Sequence, residues 1–350
     1  MTVGKKSKKI NIRSLTKEEL SLAIAEKGHP AFRAKQIWEW LWKKQTVDFK
    51  QMSSLSLPLR EQLNKEFEIL NAVPFHSQLS KDGTFKTTLR LFDGNVIEAV
   101  LIPDAKRNTA CISSQVGCKL GCHFCATASL GFKRNLSFDE IMDQLFCLDQ
   151  KAIEQSGSKL SNIVFMGMGE PLLNFEALLK AIQMITSPEG MGMSPTRITV
   201  STVGISKQIK RLADEKTNVN LALSLHAAND ELRSSLIPFN DVEPIKNLID
   251  ALRYYHEVTG QRITIEYILF DKLNDDLKSA KELANFCRNF PVKINLIPYN
   301  QTDMKQFKTA QMRKVTEFAE FLKDMNIVVN VRRSRGSDIS AACGQLANKG

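Results

Sequence analysis

From residue 105 onward, short apolar segments alternate with amphipathic segments, and this rhythm limits the possible folds more than any other feature of the chain. Strands are predicted at 109–113, 162–166, 197–201, 219–225, 262–269 and 292–297, with a further one at 327–332. Helices are predicted to begin near Ser137, Phe175, Ile205, Val242, Leu277 and Thr309. Such alternation builds parallel strands joined by crossover helices. Six units predict an α/β fold with a partial (β/α)6 barrel rather than the full eight-unit barrel.

The region before the barrel divides into three parts. Residues 1–14 are basic and polar and are predicted to be a flexible tail. Residues 15–72 have helical apolar spacing, which predicts a small N-terminal helical accessory domain. Residues 73–104 are predicted to be a β-hairpin linker, because apolar and polar residues alternate on both sides of the turn signal Asp93-Gly94. Residues 105–350 then hold the barrel and a C-terminal segment.

Glu98 lies in the second strand of the predicted hairpin. Alternation places it on the same face as Val96 and Val100. A carboxylate on an apolar strand face needs a partner or a chemical role. A charge facing water at the edge of the strand is the other interpretation, and the pattern alone leaves both open.

The charge balance favours a polyanionic partner. Lys and Arg number 48 against 38 Asp and Glu, which gives a formal net charge of +10. Nucleic acid is the usual partner of such a chain, although a basic protein without one has the same composition. No run of 18 apolar residues exists, so we expect no membrane span. The basic N-terminus lacks the apolar stretch of a secretory signal, which makes the cytoplasm the expected location.

Three cysteines form the strongest motif, the C-x3-C-x2-C pattern of Cys118, Cys122 and Cys125. Zinc usually takes four protein ligands, and neither a second C-x2-C nor a His pair is present. His123 is a poor fourth ligand, because its position beside Cys122 requires strained geometry. A cluster of four irons held by three cysteines leaves one iron open to a small molecule. The motif therefore predicts a [4Fe–4S] cluster; three ordinary buried cysteines are the alternative.

Polar residues follow the predicted strands at the points where the strands end. They are Gly169 and Glu170 after the second strand, Ser201 at the end of the third, Ser224, Leu225 and His226 at the end of the fourth, and Asn300 after the sixth. The carboxyl ends of the strands form the rim on which β/α barrels build active sites. Each residue alone could be a turn or core residue, but their shared rim predicts one site.

The cysteine motif is the signature of the radical S-adenosylmethionine (SAM) superfamily, which the chain resembles. The segments 111–118, 167–171, 224–226 and the surroundings of Cys343 are similar to the bacterial adenine-C2 RNA methyltransferases, which are dual-specificity enzymes of 23S ribosomal RNA and transfer RNA. The likeness extends to residues 32–38 and so to nearly the whole chain. One departure is Gln301, where that family often has proline, and it concerns the shape of a loop.

The resemblance implies a radical-SAM barrel with defined site residues. Cys118, Cys122 and Cys125 would hold one [4Fe–4S] cluster. SAM would be bound by the rim residues, namely Gly169, Glu170, Ser201, Ser224, Leu225, His226 and Asn300. The implied partners are 23S rRNA, tRNA with its target adenosine near the anticodon, an electron donor such as flavodoxin or ferredoxin, and a thiol reductant. The resemblance also implies a monomer.

The resemblance further implies a mechanism with three catalytic residues. One SAM methylates Cys343, and a second is cleaved to a radical that takes hydrogen from the S-methyl group. The resulting carbon radical adds to adenine C2 and joins protein to RNA. Glu98 removes the C2 proton, and Cys111 attacks the sulfur of Cys343 and releases the product. Thiol–disulfide exchange then restores both cysteines.

Two alternatives stay open at this point. The related adenine-C8 methyltransferases of 23S rRNA share the cluster motif and both cysteines, although the helical block and residues 333–338 look closer to the C2 branch. A non-catalytic, zinc-bearing RNA-binding protein is a different class. For RNA binding, phosphate contacts are expected from Arg332, Arg333, Arg335 and the basic N-terminal region.

Overall fold

The computed structural model describes residues 9–105, 107–302 and 306–347. The strands are β1 (Ile10–Asn11), β2 (Phe67–Glu68), β3 (Val73–Leu79), β4 (Phe85–Arg90), β5 (Val96–Asp104), β6 (Arg107–Cys111), β7 (Gln115–Gly117), β8 (Phe132–Asn135), β9 (Asn162–Phe165), β10 (Ile198–Thr202), β11 (Asn220–Ser224), β12 (Ile263–Leu269), β13 (Val292–Pro298) and β14 (Val328–Val331). The helices are α1 (Lys17–Glu26), α2 (Phe32–Trp42), α3 (Leu57–Glu66), α4 (Phe138–Ser156), α5 (Phe175–Thr186), α6 (Ser206–Asp214), α7 (Asp230–Leu236), α8 (Ile245–Thr259), α9 (Leu277–Cys287) and α10 (Met312–Asp324).

Helices α1–α3 form the small N-terminal helical unit that the sequence predicts. Thr16 and Glu19 begin α1 with a capping box, in which each side chain accepts the other residue's backbone N–H. The apolar faces of the three helices are buried, including Leu20, Ile37 and Leu63. Burial of these faces against each other explains why short helices are stable here.

The prediction of a flexible tail is wrong for residues 10–14. Residues 1–8 lie outside the described part of the chain, whereas 10–14 are folded: β1 pairs with β2, and Ile12 is buried. The Arg13 guanidinium is 2% exposed and lies 2.6 Å from the carboxylate of Asp143 on α4. A buried cation needs such a partner, and a partner more than a hundred residues away leaves no local signal in the sequence.

One ten-stranded sheet carries the rest of the fold, in the order β14-β13-β12-β11-β10-β9-β6-β5-β4-β3. Strands β6 and β9–β14 run parallel to one another, as predicted for the partial barrel. All seven predicted strands and all six predicted helices are present, and Ser137 and Glu140 form a capping box at α4. Helix α7 was not predicted, because seven residues are too few to show a helical period.

The predicted hairpin is present as β4 and β5, but it is more than a linker. Strand β5 pairs antiparallel with β6, and β3 adds an outer strand to β4. Strands β3–β5 are therefore an antiparallel extension of the barrel sheet. Strand β3 was not predicted, because Val73, Phe75 and Leu79 are exposed and give no buried face.

The C-terminal segment, residues 332–347, crosses from β14 to the other side of the barrel. Near its start, the N–H of Gly336 donates to Asp82 at 2.9 Å. Near its end, the carbonyl of Gly344 accepts the N–H of Ala126, and that of Leu346 accepts the hydroxyl of Thr127. The segment thus connects β14 with the antiparallel extension and with the cysteine loop. Within the described ranges, no helix has the length and apolarity needed to cross a membrane.

Candidate active site

A cavity opens at the carboxyl ends of the parallel strands, where the sequence predicts the site. Its walls include nine of the predicted residues, namely Cys118, Cys122, Cys125, Gly169, Glu170, Ser201, Ser224, His226 and Cys343. Apolar side chains such as Phe124, Ile268 and Leu346 complete the wall. The site is therefore an apolar pocket with a few convergent polar groups, as is typical of cofactor sites.

The cysteine loop begins directly after β7. Gly117 has φ +75°, and an added Cβ would lie 1.7 Å from the carbonyl oxygen of Gly131, so only glycine fits there. The N–H of Cys118 donates to the same carbonyl at 3.1 Å. His123 is exposed, and its Nδ1 lies 2.8 Å from the carbonyl oxygen of Ser235. This contact turns the imidazole away from a role as fourth zinc ligand.

The three thiols suit a cluster better than a single ion. In the described part of the chain, no three His, Cys, Asp or Glu side chains are grouped closely enough to hold one metal ion. A [4Fe–4S] cluster binds each thiolate on a different iron, so its ligands need not converge on one point. Burial raises the pKa of Cys118 to about 11 and that of Cys122 well above its ordinary value. A cationic iron centre would offset the cost of these buried thiolates.

Gly169 and Glu170 form the wall opposite the cysteine loop. Gly169 has φ +97°, and an added Cβ would lie 2.4 Å from the side chain of Gln115. The buried carboxylate of Glu170 accepts the N–H groups of Leu172 and Val203, each at 3.0 Å. Burial raises the pKa of Glu170 to about 7 despite these hydrogen bonds. An ammonium group beside Glu170 would relieve this cost, which suits the predicted contact with an amino group.

Ser201, Ser224 and His226 continue the wall along β10 and β11. The two serine hydroxyls lie 3.3 Å apart. His226 has φ +58°, which is unusual for a residue other than glycine, and its Nδ1 accepts the N–H of Ile268 at 3.1 Å. Burial, followed by the charge of Arg233, lowers the pKa of His226 to about 3. The imidazole is therefore neutral at physiological pH.

Cys111 and Cys343 lie near each other although 231 residues separate them in the sequence. Both thiols are free. Burial, followed by the charge of Cys343, raises the pKa of Cys111 to about 12. Asn300 does not line the cavity; it holds Cys343 by donating to its carbonyl at 3.2 Å. Leu225 also lies outside the cavity wall, because its side chain is buried in the main core.

Two family models match the chain, the radical SAM superfamily over residues 112–284 and the "Ribosomal RNA large subunit methyltransferase N-terminal domain" over residues 10–69. A relative from Christiangramia forsetii, named "Probable dual-specificity RNA methyltransferase RlmN", is 47% identical, with 99% of this chain and 98% of the relative covered. Another from Syntrophobacter fumaroxidans, named "Dual-specificity RNA methyltransferase RlmN", is 45% identical, with 96% and 97% covered.

This chain belongs to the RlmN family of radical SAM RNA methyltransferases. The crystal structure of a radical SAM methyltransferase from Sphaerobacter thermophilus has the same fold, with a TM-score of 0.91 and 43% identity over 96% of this chain and 99% of that one. Membership of the superfamily implies a [4Fe–4S] cluster and SAM, and the family name implies an RNA substrate.

Glu98 of this RlmN-family chain lies behind the cavity wall. Its carboxylate is buried, lies 3.1 Å from Nζ of Lys86 and accepts the N–H of Ala347 at 2.8 Å. Leu346, the neighbour of Ala347, lines the cavity, so the C-terminal segment lies between Glu98 and the open space. Burial excludes the interpretation of Glu98 as a charge that faces water.

Sequence reasoning missed two charged residues at the site and the ion pair of a third. Glu266 on β12 lines the cavity, and Arg332, which is 40% exposed, lies 3.7 Å from it. Lys86 is the buried partner of Glu98. A signal for Glu266 existed, because it is a carboxylate within the apolar strand 263–269, as Glu98 is within 96–102. Of the other expected phosphate contacts, Arg335 pairs with Asp82, whereas Arg333 is exposed.

Proposed function

We propose that this RlmN-family enzyme methylates C2 of adenine in 23S rRNA and in tRNA, where the target is an adenosine near the anticodon. The observation that carries the proposal is that Cys343 lines the same cavity as the three cluster cysteines. The names of the relatives support both an RNA substrate and dual specificity.

The target carbon requires an unusual route. C2 of adenine is electron-poor and has no acidic proton, so a direct polar transfer of a methyl group lacks a nucleophile. When bound, the cluster and SAM supply the electron and the radical initiator that this carbon needs. Cys118, Cys122 and Cys125 hold the cluster in this proposal. Gly169, Glu170, Ser201, Ser224 and His226 shape the adjoining wall for SAM, and the flanking Leu225 and Asn300 fix that wall and the segment that faces it.

Cys343 is the methyl carrier in this proposal. In the first step, a bond would form between its Sγ and the methyl carbon of a first SAM. The bond from that carbon to the sulfonium would break, S-adenosylhomocysteine would leave, and the thiol would lose its proton. Asn300 holds the Cys343 carbonyl, so the sulfur stays directed toward the cavity while the methyl group is activated and joined to the base. The wall around it is largely apolar, which protects a reactive carbon from water. The target base must be unstacked to reach it.

Glu98 and Cys111 complete the reaction in this proposal. Glu98 accepts the C2 proton, and the positive charge of Lys86 compensates its buried carboxylate. Since the C-terminal segment covers Glu98, residues 346–347 shift for the proton to pass. Cys111 then attacks the sulfur of Cys343, and a thiol reductant restores the pair. An electron donor such as flavodoxin or ferredoxin reduces the cluster.

Two cysteine variants test the proposal. Cys343→Ala should retain iron and SAM binding yet form no RNA adduct. Cys111→Ala should methylate Cys343, attack the RNA and then stall, so a covalent protein–RNA complex should survive denaturing electrophoresis. Equal crosslinking in both variants would contradict the division of roles. Mass spectrometry of RNA methylated by the native enzyme should place the methyl group on C2; a methyl group on C8 would assign the chain to the other reaction.

A further inference from the structure

Two exposed phenylalanines lie near the cavity. Phe92, in the turn between β4 and β5, is 62% exposed, and Phe132, the first residue of β8, is 41% exposed. Strand β5 runs antiparallel to β6, with Val100 opposite Cys111, so the turn before β5 lies beyond the carboxyl end of β6. The cavity opens at the carboxyl ends of the parallel strands. The ring of Phe92 is therefore on the side of the molecule that a substrate approaches.

Phe132 is on the same side, because its strand is fixed to the cysteine loop. The carbonyl of Gly131, its neighbour, accepts the N–H of Cys118, which lines the cavity. The register of β7 and β8 shifts here, with one extra residue in β8, and the consecutive residues Phe132 and Lys133 are both exposed. Bulges of this kind redirect side chains and are frequent beside active sites. Phe132 thus has a fixed place beside the cysteine loop and an open ring surface.

Contacts between β8 and the turn before β5 join the two rings into one surface. The guanidinium of Arg134 lies 2.6 Å from the carboxylate of Asp93 and 5.3 Å from the centroid of the Phe92 ring. The ammonium group of Lys133 donates to the side-chain oxygen of Asn95 at 3.1 Å. The two residues that follow the first ring in β8 therefore hold the turn that carries the second ring.

Two lysines supply positive charge beside the rings. Nζ of Lys119 lies 6.0 Å from the centroid of the Phe132 ring, and Lys119 and Lys133 are both exposed. In the described part of the chain neither lysine has an acidic partner, whereas the nearby Asp93 and Glu140 are both paired with the same arginine. Free ammonium groups attract phosphates, and open aromatic rings stack on unpaired bases. The alternation of rings and cations matches the alternation of bases and phosphates in a single strand.

We propose that Phe92, Phe132, Lys119 and Lys133 form an aromatic surface that binds the unpaired nucleotides beside the target adenosine. The two rings stack on bases, and the two lysines contact phosphates. The proposal rests on the proposed function for its substrate, an RNA whose target base leaves the stack. A base that leaves its stack deprives its neighbours of a stacking partner, and an aromatic ring replaces that partner whatever the sequence.

Fluorescence anisotropy of the full-length, cluster-bearing protein with a labelled RNA hairpin, whose loop holds an unpaired adenosine, tests the proposal. Phe132→Ala and Phe92→Ala should each weaken binding by about 5- to 100-fold, the effect of losing one stacked base. Phe132→Leu keeps an apolar side chain without a ring and should lose as much, whereas Phe132→Trp should bind at least as tightly as the native protein.

Tyr254→Ala is the matched control. Tyr254 also has a lysine beside its ring, with Nζ of Lys210 5.9 Å from the centroid, but it belongs to the crossover helix α8 on the outside of the barrel. Its loss should leave the affinity for the hairpin unchanged. A fully paired RNA duplex of the same length should bind the native protein and Phe92→Ala equally well, because its stacked bases have no free face.

A salt series separates stacking from charge. The slope of log affinity against log salt concentration should fall by about 0.7 in Lys119→Gln and in Lys133→Gln, because each loses one phosphate contact to a single strand. The slope should not change in Phe92→Ala, which removes no charge. An unchanged slope in both lysine variants would contradict the phosphate contacts.

Equal hairpin affinity of the native protein, Phe92→Ala and Phe132→Ala would overturn the proposal, and so would full affinity of Phe132→Leu. Slower reduction of the cluster by flavodoxin with unchanged RNA affinity would also overturn it and would assign the surface to a protein partner. If Phe132→Ala loses iron, Phe92→Ala decides, because Phe92 lies outside the cysteine loop. The position of the methyl group on the RNA tests the proposed function separately, so a failure of one proposal is distinguishable from a failure of the other.

Discussion

The antiparallel extension and the parallel barrel each place one buried carboxylate at or beside the cavity, and the two carboxylates have different cations. In the extension, Glu98 and Lys86 are 0% and 3% exposed and lie 3.1 Å apart. In the barrel, Glu266 is 6% exposed, but its partner Arg332 is 40% exposed and lies 3.7 Å away. The first pair is sealed from water, whereas the second has an outer side that water can solvate. Burial of the cation should therefore decide what each pair contributes to stability.

Removal of the buried cation, Lys86, should have the largest effect on stability. Lys86→Met leaves the Glu98 carboxylate buried without its counter-charge, so the free energy of unfolding should fall by about 3–5 kcal/mol. Urea unfolding of the native protein and the variant measures this difference. The double variant Lys86→Met/Glu98→Gln removes both charges and should recover most of the loss. If Lys86→Met were as stable as the native protein, the two ion pairs would not differ in the way proposed here.

Removal of the half-exposed cation, Arg332, should lower the stability by a smaller amount. Arg332→Met should lower the free energy of unfolding by about 1 kcal/mol at neutral pH, because water screens the half-exposed Arg332 and Asn295 still donates to the carboxylate of Glu266. Burial raises the pKa of Glu266 above its ordinary 4.5, and Arg332 opposes this rise. Without Arg332 the folded protein retains this proton to higher pH. Its stability relative to the native protein should therefore fall as pH rises from 4.5 through the raised pKa.

The pH series has a matched control. Arg332→Met/Glu266→Gln is compared with Glu266→Gln, since both proteins lack the carboxyl. The difference in their free energy of unfolding should therefore have no pH dependence from this group. A penalty of Arg332→Met that shrinks as pH rises would contradict the assignment of Arg332 as the partner of Glu266.

The smallest effect is expected where the extension meets the C-terminal segment. Partial burial disfavours the charge of Asp82, but hydrogen bonds from Thr84 and from the N–H of Gly336 lower its pKa to about 2. A carboxyl with a lowered pKa stabilises the fold above its unfolded value of 3.8, and this contribution is lost as pH falls through 2. Asp82→Asn should thus cost at most about 1 kcal/mol at pH 7, because the site is partly solvated. Unfolding at a series of pH values should show the difference vanish near pH 2.

The sequence predicts the barrel and most of its rim because both have local signals. Each strand of the parallel run is a short apolar segment between helices, and each rim residue follows such a segment directly. The partners of buried charges lack such signals. Arg13 contacts Asp143, and Arg332 contacts Glu266, only in the folded chain. From the sequence alone, a basic residue near a terminus is therefore assigned to a flexible tail or to phosphate binding. The helical spacing of apolar residues predicts the N-terminal helical unit, whereas the exposed strand β3 has no periodic apolar pattern that could predict it.

From position 343 onward, the C-terminal segment is anchored chiefly through its main chain. The carbonyls of Cys343, Gly344 and Leu346 and the N–H of Ala347 make hydrogen bonds to other parts of the protein, and the side chain of Gln345 adds one to the carbonyl of Gln301. None of these anchors uses the sulfur atom. Selenocysteine or a small spectroscopic label at position 343 would therefore leave every one of these contacts in place. The residue proposed as the methyl carrier is thus also one at which the scaffold should accept an artificial side chain.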